Sequence, residues 1–121
     1  MRRFPAIVGT DHDPSAVRAA LANVARAGLS GRIHVEKREL ADAAPPKSRS
    51  GAAGLVATNP PYGQRLGSET ELRPLYETLG AVLRERFAGW KAALLTGNPG
   101  LALRTGIRAK KAYTLFNGAL E

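Results

Sequence analysis

The sequence predicts an α/β fold in which helices cover a mostly parallel sheet. Short apolar runs alternate with helical segments along the chain, which is typical of parallel strands joined by helices. The chain has 121 residues, of which 44% are hydrophobic and 23% are charged. This length and composition suit one small packed domain, so we treat residues 1–121 as a single unit.

The first half of the chain predicts a strand, a helix and a second strand. Residues 6–11 form a short apolar run that is typical of a buried strand. Asp13, followed by proline, is a good helix start, and Gly28 is a suitable helix end. Residues 32–36 alternate like a strand, and the Pro- and Ser-containing stretch over 43–52 predicts a loop.

The second half predicts another strand and a long amphipathic helix. Residues 54–58 read as a buried strand. Ser68 and Glu71 could form a capping box, which places Pro74 in the first turn of the helix. One apolar helical face then contains Leu72, Leu75, Tyr76, Leu79, Val82, Leu83 and Phe87.

The last third predicts a strand over 90–96, a loop with a short helix over 97–106 and a final strand over 112–116. Parallel sheets of this kind bind ligands at the carboxyl ends of their strands. Polar residues stand at three of the predicted strand ends, and these residues are Asp11, Glu39 and Asn59.

Composition argues against several classes of protein. No run approaches the roughly 18 apolar residues of a membrane span, and no apolar stretch follows the basic N-terminus as in a secretory signal. The chain has no cysteine and only two histidines, so we expect neither disulfides nor a metal site. We therefore expect a cytoplasmic protein without membrane contact. The net charge of +8 favours a polyanionic partner, although an Arg- and Ala-rich composition alone can produce it.

The strongest motif is Asn59-Pro60-Pro61-Tyr62, directly after an apolar strand. Two consecutive prolines fix the backbone and remove two N–H donors. The remaining acceptors and the ring suit a planar substrate with an amino group. The Asn59 oxygen and the Pro60 carbonyl can each accept one amine hydrogen, while Tyr62 stacks on the ring. The alternative, a structural turn capped by an asparagine, is disfavoured by the complete four-residue run.

The run from Thr58 to Leu66 resembles the ribosomal RNA large-subunit methyltransferase K/L family. Asn-Pro-Pro-Tyr is similar to motif IV of S-adenosylmethionine-dependent amino-methyltransferases, and the following Gly-Gln-Arg-Leu is more specific to this family. The similarity continues in order through Leu75-Tyr76, Leu79-Gly80, Phe87-Ala88-Gly89-Trp90, Leu95-Thr96-Gly97-Asn98 and Tyr113-Thr114-Leu115-Phe116-Asn117-Gly118. The resemblance implies a Rossmann-like class I fold and S-adenosylmethionine as cofactor. It also implies methyl transfer to the exocyclic N2 amine of a guanine in 23S rRNA.

The resemblance also implies roles for individual residues. In the cofactor site, Asp11 would bind the ribose hydroxyls and His12 would lie beside the adenine. Glu39, where the family usually has Asp, would accept from the adenine amine, although a solvated charge is an equal alternative. Asn59 would also contact the cofactor. Arg65 would contact RNA, with a surface salt bridge as its alternative. The residues implied in catalysis are Asn59, Pro60, Pro61 and Tyr62, and Tyr62 would also contact the RNA base.

The sequence departs from the family near its start. Only five residues precede the first predicted strand, and no glycine-rich first motif is present. The family's RNA-binding THUMP domain, which the resemblance implies further upstream, is not contained in these 121 residues. We therefore expect residues 1–121 to be part of a larger methyltransferase domain, with an upstream segment of the same enzyme as its partner. The resemblance implies a fold without its first strand and the Gly-rich loop that holds the methionine end of the cofactor. Alone, the chain should therefore bind S-adenosylmethionine poorly and show little activity. Loss of that central strand also predicts exposed apolar edges and low stability.

Other functions remain open at this point. Asn-Pro-Pro-Tyr does not distinguish guanine N2 from adenine N6, cytosine N4 or a protein glutamine amide as the methyl acceptor. A catalytically inactive remnant that binds RNA through charge is a second alternative. A doubly wound module without methyl transfer ranks last, because it leaves the motif unexplained.

Overall fold

The computed structural model describes residues 5–47, 53–61 and 69–108, and it has the predicted alternating order. The elements are β1 (Ile7–Asp11), α1 (Pro14–Arg26), β2 (Ile33–Lys37), a short 3-10 helix η1 (Leu40–Asp42), β3 (Leu55–Thr58), α2 (Glu69–Arg86), β4 (Lys91–Leu94) and α3 (Pro99–Leu103). The short helix predicted within 97–106 is α3. The strand predicted over 112–116, and Ser68 of the predicted capping box, lie outside the described residues.

Helix α1 begins and ends as the sequence predicts. The Asp13 carboxylate caps its N-terminus by accepting from the Ser15 backbone N–H and the Ser15 hydroxyl, each at 2.9 Å. At the other end, Gly28 has a φ of 74°, a left-handed conformation that glycine adopts easily. The Leu29 N–H then donates to the Val24 carbonyl at 3.0 Å and closes the helix.

The four strands form two parallel pairs, β1–β2 and β3–β4. Asp11 is in register with Lys37 in the first pair, and Thr58 with Leu94 in the second. The predicted parallel direction is confirmed. Within the part of the chain that the structure describes, no strand ladder joins the two pairs.

The strands are more exposed than the sequence predicts. The runs over 6–11 and 54–58 read as buried strands, yet Ile7 is 41% and Leu55 is 62% exposed. The physical reason is that each described strand has a single hydrogen-bonded neighbour, so apolar side chains find few partners. The expectation of exposed apolar residues is therefore confirmed, and the expectation of buried strands is wrong.

The core lies between α2, α3 and β4. Leu72, Tyr76 and Leu101 form a buried cluster, and Leu75 and Leu94 pack against it. Tyr76 and Leu101 have no exposed surface. The predicted apolar face of α2 is confirmed by its buried members, which are Leu72, Tyr76, Leu79 and Val82.

The predicted position of Pro74 is wrong. Helix α2 begins at Glu69, so Pro74 lies in the second helical turn and not in the first. Proline at this point removes one backbone N–H and the hydrogen bond that it would make. The helix nevertheless continues to Arg86, which is consistent with its stabilisation by packing of the apolar face.

Helix α2 approaches the turn after α3 closely at Gly80. A Cβ atom at this position would lie 2.6 Å from the Thr105 carbonyl carbon and 2.7 Å from its Cα. Thr105 is buried, and Arg84 donates a hydrogen bond to its carbonyl oxygen. Only glycine fits at position 80 without displacement of backbone.

Candidate functional site

The turn Asn59-Pro60-Pro61 follows β3 at its carboxyl end, as the sequence predicts. The Leu95 N–H donates to the Thr58 carbonyl at 3.0 Å, so pairing with β4 continues to the residue before the turn. Asn59 is exposed, and the two prolines are half-buried. The turn therefore presents an amide side chain and carbonyl acceptors next to a paired strand end.

Tyr76 of α2 holds the turn through a hydrogen bond. The Tyr76 hydroxyl donates to the Pro61 carbonyl at 2.8 Å and lies 3.0 Å from the Thr96 hydroxyl oxygen. Burial raises the pKa of the Tyr76 hydroxyl above its usual value, so this group stays protonated and able to donate at neutral pH. Thr96 Oγ1 in turn accepts from the Asn98 backbone N–H at 3.2 Å.

Asp11 lies at the carboxyl end of β1 and is exposed. Its Oδ1 accepts from the Asp13 backbone N–H at 2.9 Å, which folds the chain between them into a tight turn around His12. His12 is exposed. Hydrogen bonds from the Ser15 N–H and hydroxyl lower the pKa of Asp13, with a smaller contribution from the charge of His12. Asp13 therefore caps the N-terminus of α1, whereas the Asp11 carboxylate has further lone pairs that can accept hydrogen bonds.

Glu39 follows β2 and directly precedes η1. It occupies the N-cap position of η1 but makes no side-chain capping hydrogen bond there, and it is exposed. The neighbouring Arg38 N–H donates to the Asp11 carbonyl at 3.0 Å, which ties the ends of β1 and β2 together. The short helix η1 also packs against α2. Arg86, the last residue of α2, donates to the carbonyl of Ala43, which directly follows η1, at 3.1 Å.

The structure thus groups some of the predicted site residues and leaves others undescribed. Asp11, His12 and Glu39 lie at the carboxyl ends of one strand pair, and Asn59, Pro60 and Pro61 lie at that of the other. Tyr62 and Arg65 lie outside the described residues.

The role of Tyr76 and Thr96 does not follow from the helical spacing. That spacing places Tyr76 only on the apolar face of the helix, which is correct for its ring. The available signal was its polar hydroxyl within a face otherwise made of Leu, Val and Phe, because a buried tyrosine hydroxyl usually finds a partner. The identity of that partner depends on tertiary packing.

Two findings on the described ranges concern other kinds of site. No group of three or more His, Asp or Glu side chains there is arranged to hold a metal ion. Among the same residues, no helix combines the length and the apolar character that crossing a membrane requires.

Comparison with known proteins identifies the family. Residues 1–121 match the family model described as UPF0020, RMKL-like, methyltransferase domain. A ribosomal RNA large subunit methyltransferase K/L from Methylococcus capsulatus is 52% identical over the whole chain, and one from Syntrophotalea carbinolica is 51% identical. The chain spans 16% and 17% of the lengths of these two relatives.

Solved structures show the same fold. A putative methyltransferase named SMU.472, complexed with SAH, matches with a TM-score of 0.82 and 29% identity over 94% of this chain and 29% of its own. A possible methylase from Clostridium difficile 630 matches with a TM-score of 0.81 and 30% identity over 95% of this chain and 29% of its own. The predicted Rossmann-like methyltransferase fold and the family resemblance are both confirmed. The chain belongs to the family of RMKL-like methyltransferase domains.

Proposed function

We propose that this chain carries the methyl-acceptor turn and part of the cofactor site of an RNA methyltransferase. The enzyme transfers a methyl group from S-adenosylmethionine to the exocyclic N2 amine of a guanine in 23S rRNA. The observation that carries the proposal is the Asn59-Pro60-Pro61 turn, fixed at the end of β3 by a buried tyrosine. The proposal is further supported by membership of a methyltransferase family and by relatives named for ribosomal RNA methylation.

The turn has the groups that an exocyclic amine requires. The amine nitrogen is a weak nucleophile, because its lone pair is delocalised into the ring. Asn59 Oδ1 and the Pro60 carbonyl would each accept one N–H, which favours a pyramidal nitrogen with its lone pair directed at the methyl group. The Pro61 carbonyl already accepts from Tyr76, and we assign the main-chain acceptor role to the Pro60 carbonyl, which follows Asn59 directly. Tyr62 would stack on the base.

The residues of the other strand pair fit the nucleoside part of the cofactor. Ribose hydroxyls and an adenine amine are donors, and Asp11 and Glu39 are exposed carboxylates at neighbouring strand ends. Asp11 commits one oxygen to the Asp13 N–H and has further lone pairs for hydroxyl groups. His12 would lie beside the adenine, and Asn59 would contact the cofactor from the second strand pair. S-adenosylmethionine, when bound, supplies a methyl group activated by a positively charged sulfur.

Catalysis by these residues would be a matter of position and electrostatics. No strong base is needed before transfer, because the amine proton becomes acidic as the new bond forms. Asn59 and Pro60 hold the acceptor nitrogen, and their oxygens face the positive charge that develops on it. A guanine within duplex RNA must first be unstacked, for which an aromatic platform such as Tyr62 is suited.

The polyanionic substrate agrees with the charge of the chain. The net charge of +8 favours binding to RNA phosphates, and Arg65 is the candidate for a direct contact. We assign the protein to the cytoplasm, where 23S rRNA is made and assembled.

A second candidate is an amino-methyltransferase with another target. A protein from Listeria monocytogenes described as a predicted N6-adenine-specific DNA methylase matches with a TM-score of 0.70 and 31% identity over 87% of this chain. Adenine N6 is also a delocalised amine, so the same acceptors would serve it. The third candidate function is RNA binding by a catalytically inactive chain.

The test is transfer of tritiated methyl from S-adenosylmethionine to unmodified 23S rRNA, with adenine-containing DNA as a competing substrate. The chain alone is compared with a form extended upstream. In whichever form is active, Asn59→Ala should lower the transfer rate about 10²–10³-fold, whereas Asn23→Ala on exposed α1 should not change it. Methylation of DNA in preference to rRNA would favour the second candidate. Salt-dependent RNA binding without transfer in either form would favour the third.

A further inference from the structure

We propose that Tyr76 is a positioning residue, whose hydroxyl fixes the Asn59-Pro60-Pro61 turn in the conformation that accepts the substrate amine. This proposal deepens the proposed function and rests on it. Tyr76 lies on α2, at a distance along the chain from both loops that it touches, and it has no exposed surface. It would act through the turn and not by contact with substrate.

The hydrogen bonds at Tyr76 have a defined direction. A proline carbonyl can only accept, so the hydroxyl proton of Tyr76 is used on Pro61. The bond between Tyr76 and Thr96 must then run from the Thr96 hydroxyl to the Tyr76 oxygen. Thr96 accepts in turn from the Asn98 N–H. The result is a directed chain, Asn98 to Thr96 to Tyr76 to Pro61, in which each bond polarises the next.

This chain joins the loops at the ends of two adjacent parallel strands. Pro61 lies three residues after β3, and Thr96 lies two residues after β4. The ladder between these strands ends at Thr58 and Leu94, with one further bond from the Leu95 N–H. Beyond that point, the two loops are connected through the Tyr76 hydroxyl, which bonds to Pro61 of one loop and Thr96 of the other.

Packing holds Tyr76 in place. The ring is buried with Leu72 of the same helix and Leu101 of α3, and Leu94 of β4 packs against this cluster. A buried ring leaves its hydroxyl little freedom to move away from Pro61. Asn98 also caps α3 by accepting from the Leu101 N–H at 3.1 Å, so the far end of the hydrogen-bond chain is anchored too.

The bond also selects which carbonyl is presented to substrate. The Pro61 carbonyl is directed at Tyr76, and the carbonyl of Pro60 is the acceptor that we place beside the Asn59 side chain. Without the hydroxyl, the Pro61 carbonyl loses its partner inside the protein and is free to turn toward water. Rotation of that peptide would disturb the geometry of the two acceptors before it, and a small misplacement of acceptors has a large effect on rate.

The first experiment is Tyr76→Phe in the active form of the enzyme. The ring and its packing remain, and the hydroxyl is lost. We expect kcat to fall about 10-fold or more. KM for S-adenosylmethionine should change less than kcat, because Asp11 and Glu39 lie on the other strand pair and only Asn59 would contact the cofactor from this turn. Thr96→Val removes the preceding donor and should give a smaller fall in kcat, while Thr96→Ser restores it.

The matched control is Leu79→Ala, which removes a buried side chain one helical turn from Tyr76. It should lower Tm while kcat per folded molecule stays unchanged, as measured well below Tm. A Tyr76→Phe variant with the parent kcat, or one that loses only Tm as Leu79→Ala does, overturns the proposal.

A second readout does not require activity. In the ¹³C-labelled chain, Tyr76→Phe should shift the carbonyl resonance of Pro61 and broaden the side-chain amide signals of Asn59, and Leu79→Ala should change neither. Unchanged Pro61 and Asn59 signals overturn the positioning role even if methyl transfer is found. If no form transfers methyl, the proposed function fails, and the resonances still decide whether Tyr76 fixes the turn.

Discussion

The two strand pairs differ in how they hold the residues of the proposed site. The first region, residues 5–47 with β1, α1, β2 and η1, has Val17 as its one buried apolar side chain among the described residues. The second region, residues 53–61 and 69–108 with β3, α2, β4 and α3, contains the other five buried apolar side chains, which are Leu72, Tyr76, Leu79, Val82 and Leu101.

This difference shows two ways of building a site. In the first region, Asp11 is oriented by a short turn to Asp13, and the exposed Glu39 side chain makes no capping hydrogen bond to η1. In the second region, the Asn59-Pro60-Pro61 turn is supported by a core side chain from a distant part of the sequence. The proposed acceptor site therefore depends on global packing, and the proposed nucleoside site depends on local hydrogen bonds.

The largest expected contrast comes from adding the same methyl group to each region. Gly80→Ala places a Cβ against the Thr105 backbone, which cannot yield as a flexible side chain would, so we expect a loss of about 3 kcal/mol or more in stability. Gly9→Ala on β1 meets only Val35 Cγ2 at 3.9 Å and should change stability by about 0.5 kcal/mol or less. Urea unfolding followed by circular dichroism measures both. Equal losses would contradict the difference in packing between the regions.

A second contrast removes the same side chain from each region. Leu101→Ala leaves a cavity in the core of the second region and should cost about 2–5 kcal/mol. Leu21→Ala on α1 removes a side chain that is 44% exposed, and the higher helix propensity of alanine offsets part of the loss, so we expect less than about 1 kcal/mol. Thermal unfolding of the two variants in parallel decides the point. A larger effect at Leu21 would show that the first region has a core of its own.

The smallest expected effect is a pH dependence confined to the first region. Hydrogen bonds from Ser15 lower the pKa of Asp13 in the folded chain, so its charge stabilises the fold above the unfolded pKa of about 4. This contribution is lost as pH falls through the lowered folded value, because the carboxylate must then be protonated. Asp13→Asn keeps a capping oxygen but cannot titrate.

The measurement is unfolding of parent and Asp13→Asn chains between pH 7 and pH 2. The difference in stability between them should shrink as pH falls. A constant difference across this range would mean that the Asp13 charge does not contribute to helix capping.

The local features of the fold were predictable from the sequence. The cap at Asp13, the left-handed Gly28 and the placement of Asp11 and Asn59 at strand ends all depend on residues close in the chain. These features follow from side-chain chemistry and backbone conformation over a few residues. The apolar face of α2 was predictable for the same reason, because a helix repeats over short distances.

Features that depend on distant residues were not predictable in this way. An apolar run such as 54–58 identifies a strand but not the number of its neighbours, and so it does not determine the exposure of Leu55. By contrast, the start of α2 at Glu69 is the one that the capping-box pattern of Ser68 and Glu71 predicts. The predicted place of Pro74 was wrong because this residue is the sixth of the helix and so lies beyond its first turn. The hydrogen bond from Tyr76 to Pro61 joins residues 15 positions apart and appears only once the helix packs on the strands.

Helix α2 also fixes a length. Tyr76 reaches the turn after β3, and ten residues later Arg86 reaches the Ala43 carbonyl beside η1. Ten residues correspond to roughly 15 Å of helix and somewhat less than three turns. One residue inserted between them would rotate one contact by about 100° relative to the other. The number of residues between Tyr76 and Arg86 must therefore be kept if both hydrogen bonds are to form. Insertions in the loop before β3 would not change the angle between these two side chains on the helix.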